Sequence, residues 1–191
     1  MQFEENGERI DDLKLVLSRV SQAATMWDPD GISIRFMNSN LPGSLLDNVR
    51  GEQQVDQVRD HLYTTRLEVL CLRSSQIMRQ VKFSGLTPMG RELKRKVIDG
   101  IVLPAARGNQ LRKPVLVICI SDGQPAGDEP GPNAVFDTVR YAVNEVGRAT
   151  GSKGGIAFQF AQVGNDQKAR EFLGKLDSDP AIGDMVDCTS K

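Results

Sequence analysis

Apolar residues recur at three- and four-residue steps from Ile10 through Leu13, Val16, Leu17, Val20, Ala24 and Trp27, laying one dry stripe along a helix. The run Asp28-Pro29-Asp30-Gly31 stops it. Ile32, Ile34 and Phe36 then alternate with Ser33, Arg35 and Met37, the period-two pattern of a strand with one drier face, nearer a sheet edge than its middle. Asn38 to Gly51 is rich in Gly, Pro, Asn and Ser and reads as loop, with room for a short strand. Gln53 to Gln80 is compatible with helix, although its cluster Leu67, Val69, Leu70, Cys71 and Leu72 fits neither period well. Leu93, Val97, Ile98 and Ile101 predict a cleaner helix that ends before Pro104.

The second half is more regular. Pro114 is followed by the unbroken apolar run Val115 to Ile120, which predicts a strand covered on both faces, as in a parallel sheet. Ala134, Val135, Val139, Ala142, Val143 and Val146 predict a helix; Ile156, Phe158, Phe160 and Val163 a strand; Ala169, Phe172, Leu173 and Leu176 a helix; and Met185 to Cys188 a short last strand. Strand, helix, strand, helix, strand is the order of an α/β domain with right-handed crossovers. The expected fold is a doubly wound, mostly parallel sheet flanked by helices, within a single domain over residues 1–191.

Composition narrows the choice of partner. The 191 residues carry 24 Lys plus Arg against 25 Asp plus Glu, so a net charge of -1 gives no general attraction to nucleic acid or to an anionic membrane. No apolar run approaches the ~20 residues needed to cross a bilayer, and the first turns are too charged for a secretory signal. The chain reads as soluble, intracellular and cytoplasmic, with no nucleic-acid or membrane partner. Cys71, Cys119 and Cys188 lack metal-like spacing and read as reduced, structural thiols.

The chemistry concentrates where the apolar strand ends. Ser121-Asp122-Gly123-Gln124-Pro125 follows Ile120 directly, and ligands of parallel sheets gather outside the carboxyl ends of the strands. Asp122 is therefore either a site carboxylate or an ordinary turn residue. Thr87, in Ser84-Gly85-Leu86-Thr87-Pro88-Met89-Gly90, sits where a loop enters a helix. Its hydroxyl and the Asp122 carboxylate are hard oxygens suited to Mg²⁺. The plainer reading of Thr87-Pro88 is a helix N-cap followed by proline at the first helical position. Asp128 and Glu129 either add charge near such a site or solvate a Pro/Gly-rich loop. Asn165-Asp166, before the stripe from Ala169 to Leu176, reads as a helix N-cap, and Gly147 to Gly154 as a helix end and turn, since it lacks the order of a phosphate loop and follows a helix. No Gly-x-Gly-x-x-Gly follows a strand, and the one histidine, His61, has no nucleophile motif beside it.

Four segments together resemble successive blocks of a von Willebrand factor A domain, most of all the intracellular A-domain proteins of fungi. They are Asp30-Gly-Ile-Ser-Ile-Arg-Phe-Met-Asn38, Ser84-Gly-Leu-Thr-Pro-Met-Gly90, Val117-Ile-Cys-Ile-Ser-Asp-Gly-Gln-Pro125 and Phe160-Ala-Gln-Val-Gly-Asn-Asp166. The resemblance spans about Phe3 to Cys188. It implies a Rossmann-like sheet carrying a metal-ion-dependent adhesion site, with Thr87 and Asp122 as metal ligands and an acidic group of a protein partner completing the Mg²⁺ shell. It also implies two departures. The family's Asp-x-Ser-x-Ser loop occurs nowhere in the chain, and Met1 to Gly7 stand where it should already have passed, so the first central strand is expected to be missing and the metal site partial. Residues 58–76 look inserted, and the expectation from both departures is an altered or misassigned gene model, with a late start codon and a retained intron. The expected function is a non-enzymatic protein-binding module with weak or absent Mg²⁺ binding. A metal-dependent hydrolase or phosphotransfer enzyme using Asp122, or a remnant without metal, are the alternatives.

Overall fold

Three parallel strands form the sheet of the second half: β1 (Val115–Ser121), β2 (Ile156–Gln162) and β3 (Val186–Thr189), in spatial order β1-β2-β3. Val115 lies opposite Ile156, Cys119 opposite Phe160, and Phe160 opposite Cys188, so the strand-end loops after Ser121 and Gln162 open toward the same end of the sheet. This is an α/β architecture, flanked by helices. The computed structural model describes residues 30–49, 85–128 and 131–189, with shorter runs at 12–13, 15–17, 19–20, 23–24, 28 and 80–81. The chain divides into two compact units, 1–84 and 85–191.

In the first unit, the described residues between 12 and 24 are helical, as their apolar stripe predicts. A one-turn helix, α1, spans Gly43–Leu46. Leu17, Ile34, Leu46 and Val49 form a small core, against which Leu13, Ile32, Phe36, Leu41 and Val81 pack. The strand expected over residues 32–36 does not develop into a ladder. Among the described residues, Ile32 and Val49 exchange two backbone hydrogen bonds (3.0 and 2.8 Å), Ile34 N–H donates to Leu46 O (2.8 Å), and Phe36 makes only a local bridge to Ser39. On the side toward Phe36 the partner segment curls into α1, which leaves no extended backbone among the described residues there for further rungs. The expected helix over 53–80 and the insertion at 58–76 lie outside the described residues, apart from Gln80, which is helical. His61 and Cys71 lie outside them too.

In the second unit, α2 runs from Met89 to Arg107 as one helix whose middle, Leu93–Val102, is π-helical. The predicted stop before Pro104 is not obeyed. Leu103 N–H donates to Ile98 O, an i→i−5 bond, so the bonding register is already changing where the ring and its missing N–H fall. Disruption costs less there than inside a regular ladder. The next helix, α3 (Ala134–Thr150), ends on Gly151 at φ 73°, the left-handed C-terminal geometry expected of that glycine. The last, α4 (Gln167–Asp177), begins on Asp166, whose carboxylate accepts from Ala169 N–H at 2.8 Å, as expected of an N-cap.

A sequential strand order with crossovers of one hand brings α3 and α4 to the same face of the sheet. Phe136 of α3 meets Phe172 of α4 edge to face, with ring centres 5.8 Å apart. Beneath them Ile156, Phe158 and Phe160 are fully buried, each contributing about 1.5–3 kcal/mol of burial. The other face is drier in sequence than in space. Leu116 is 61% exposed and Ile118 37%, so β1 is not covered on both faces as its unbroken apolar run predicts. It is an end strand among the described residues, and only the Val117–Cys119–Ser121 side looks toward the helices. No helix among the described residues is long and apolar enough to cross a membrane.

Candidate functional site

The strand end at Ser121 is shaped by its own side chain. Ser121 Oγ donates to Gly123 O at 3.0 Å and lies 3.4 Å from Gly123 N, which turns the chain just after Asp122. Val163 N–H donates to Ser121 O at 2.9 Å, prolonging the β1–β2 ladder by one bond. Asp122 therefore stands immediately beyond a fixed strand end, half-buried.

Thr87 is carried by a second loop fastened to the first. Ala126 N–H donates to Thr87 O at 2.9 Å, and Thr87 O also accepts from Met89 N–H at 2.8 Å. Gly127 adopts φ +74°, and a Cβ there would meet Leu86 Cδ1 at 2.6 Å, so a close approach fixes glycine at this point as well. Asp128 then closes the clamp. Its Oδ2 accepts from Gly90 N–H (2.9 Å) and its Oδ1 from Arg91 N–H (3.0 Å), satisfying two of the donors that a helix start leaves without partners.

This arrangement corrects two readings. The helix cap position is Pro88, with no side-chain cap bond, so Thr87 is not the N-cap of α2. Asp128 performs that task from 38 residues away in sequence, which rules out a role as mere loop-solvating charge. Glu129 lies outside the described residues. The loops that bear Thr87 and Asp122 are thus brought together through the backbone bond at Ala126 and the side-chain carboxylate of Asp128.

One polar group at this end of the sheet was missed in the sequence. Gln162 is buried on the same phase as Ile156, Phe158 and Phe160; its Nε2 donates to Asp166 O at 2.8 Å, and its Oε1 has no partner. With Cys119 and Ser121 it lines a cavity of about 10 Å³. A polar residue on the apolar phase of a strand was the available signal. Burial first, then neighbouring charge, pushes the nearby Cys119 and Cys188 thiols up to about 12, which disfavours the thiolate form.

As a metal centre the donor set is thin. Among the described residues, no group of three or more His, Cys, Asp or Glu gathers. Thr87 and Asp122 would offer only a hydroxyl and a carboxylate to an ion such as Mg²⁺, which takes six oxygens. No protein-family model, curated protein or solved structure matches the chain.

Proposed function

We propose that this chain is a protein-interaction module of the von Willebrand factor A type, whose contact face is the carboxyl end of the sheet around Thr87 and Asp122. The observation that carries this reading is the bond from Ala126 N–H to Thr87 O, since it fastens the threonine loop to the loop that begins at Asp122. In this reading the three parallel strands belong to a doubly wound, Rossmann-like sheet, and the partner is a protein presenting an acidic side chain. Mg²⁺, when bound, supplies a positive bridge between that acid and the chain. The Asp122 carboxylate and the Thr87 hydroxyl are the chain's own donors, and water fills the remaining positions. Affinity for the ion alone is accordingly weak. The chain acts in the cytoplasm, without nucleic acid or membrane as partner.

The hydrolase alternative needs a second carboxylate beside Asp122. Asp128 is engaged by two helix N–H groups and does not supply it without uncapping α2. Calorimetric titration of Mg²⁺ into the full chain, with and without an excess of acetate as a minimal acidic group, tests the reading. Weak binding that acetate strengthens, and that Asp122→Asn and Thr87→Val each abolish, is expected. Mg²⁺ binding indifferent to both substitutions, or hydrolysis of a generic phosphate ester lost in Asp122→Asn, would overturn it.

A further inference from the structure

Away from the strand ends, a groove of about 490 Å³ lies between α2 and α3, lined by Arg91, Lys94 and Arg95 from one helix and by Asp137, Thr138 and Tyr141 from the other. Its size falls within the roughly 300–1,000 Å³ of small-molecule sites. One wall depends on the π-helical stretch of α2. Lys94 and Asp99 are five residues apart, which on an α-helix places them about 140° apart around the axis. The i→i−5 register stacks them instead. Lys94 Nζ reaches Asp99 Oδ2 at 2.5 Å and sits 4.3 Å from the centre of the Tyr141 ring, while the Tyr141 hydroxyl donates to Asp99 Oδ1 at 3.2 Å. Cation, carboxylate and phenol thus hold one another in place, and the ring and the lysine stem offer an apolar surface.

The rim is cationic. Arg91 and Arg95 each give an N–H to the same buried carboxylate, Glu92, at 3.3 and 2.6 Å, and Lys96 Nζ lies 3.0 Å from it. Two guanidiniums share one negative charge, and a guanidinium carries five donors in a fork suited to phosphate. Arg91 is 48% and Arg95 57% exposed, so both are accessible. Of the acids on the walls, Asp99 is engaged as above and Asp137 lies 3.1 Å from Arg140.

We propose that this groove binds a small phosphate monoester with an aromatic body, its phosphate taken by Arg91 and Arg95 and its ring lying against Tyr141 and the Lys94 stem. The site is independent of the Mg²⁺ reading. Amide NMR titration of the full chain with phenyl phosphate tests it, with inorganic phosphate and benzyl alcohol as separate arms. Expected are saturable shifts at Arg91, Lys94, Arg95 and Tyr141, and phenyl phosphate binding about tenfold tighter than either fragment. The double variant Arg91→Gln/Arg95→Gln should lose about tenfold for phenyl phosphate and leave the far-UV spectrum unchanged. Tyr141→Leu, with both arginines intact, should weaken phenyl phosphate but not inorganic phosphate, and it carries the test if the double variant fails to fold. Absence of saturable binding, shifts centred elsewhere, inorganic phosphate binding as tightly as phenyl phosphate, or affinity unaltered in these variants would overturn the proposal.

Discussion

The same substitution, glycine to alanine, should move stability in opposite directions at Gly90 and Gly174. Gly90 lies where the first turn of α2 crosses the start of α3. A Cβ there would stand 2.5 Å from the Ala134 carbonyl carbon, 2.7 Å from Ala134 Cβ and 2.7 Å from Val135 N. Two of these three atoms are backbone and cannot swing aside, so the helices must separate. Separation strains the two bonds to Asp128 and the 3.1 Å bond from Thr138 Oγ1 to Gly90 O, which is buried. Overpacking of this kind costs about 1–3 kcal/mol, and a weakened cap about 1 kcal/mol more. The intrinsic preference of alanine for helix returns at most ~1 kcal/mol, and less in a first turn. Gly90→Ala should therefore lower stability by about 1–3 kcal/mol. Gly174 lies within α4, exposed, with nothing within 4 Å of its Cβ position, so alanine there should add about 0.5–1 kcal/mol. Urea unfolding of the full chain followed by circular dichroism reads both. An unchanged Gly90→Ala midpoint, or two shifts of the same sign, would refute the packing described at the helix crossing.

Three further outcomes follow from the same structure. Burial is the largest single influence on the Glu92 carboxyl and raises its pKa, but hydrogen bonds and charge from Arg95 and Lys96 together outweigh it and hold the group below the usual carboxylate range. A depressed folded value means stability that is present above the unfolded pKa of about 4.3 and lost as pH falls through the folded one. Glu92→Gln should thus cost about 1–3 kcal/mol at neutral pH, and unfolding curves of the two proteins should converge in acid; a deficit that persists there would refute the charge-based account. In a Cys71→Ser background, Cys119 and Cys188, both half-buried with thiols pushed up to about 12, should react with a thiol reagent at pH 8 more than about tenfold faster after unfolding than before, and rapid native labelling would contradict that shielding. Leu116→Lys should change stability by no more than about 0.5 kcal/mol and reduce light scattering from self-association; a loss of about 2 kcal/mol would mean that this face is covered.

The local elements of residues 115–189 were legible in the sequence because each has a strong period of its own. Val115 to Ile120, the stripe from Ala134 to Val146, and the alternation Ile156, Phe158, Phe160 each specify an element without reference to anything distant, and each forms close to its predicted bounds. Residues 32–36 show the limit. Their alternation is genuine, and Ile34 is buried, but a ladder needs an extended partner and α1 takes that partner away. Pro104 shows another, since its effect depended on a π register that no pattern announced. Of the candidate site, Thr87 and Asp122 could each be placed at an element boundary. Their loops' attachment through Ala126, and the diversion of Asp128 to cap α2, could not.

By itself, then, the chain determined the α/β class, the order of its elements, and the position of a carboxylate just past the end of a strand. Local periodicity is enough for that, since backbone bonding and side-chain direction repeat every two or 3.6 residues. The tertiary structure decided which face of β1 is dry, which acid caps α2, why Gly90 must lack a side chain, and where Arg91, Arg95 and Tyr141 meet. Those depend on contacts between residues that are distant in sequence, and such contacts leave no period to read.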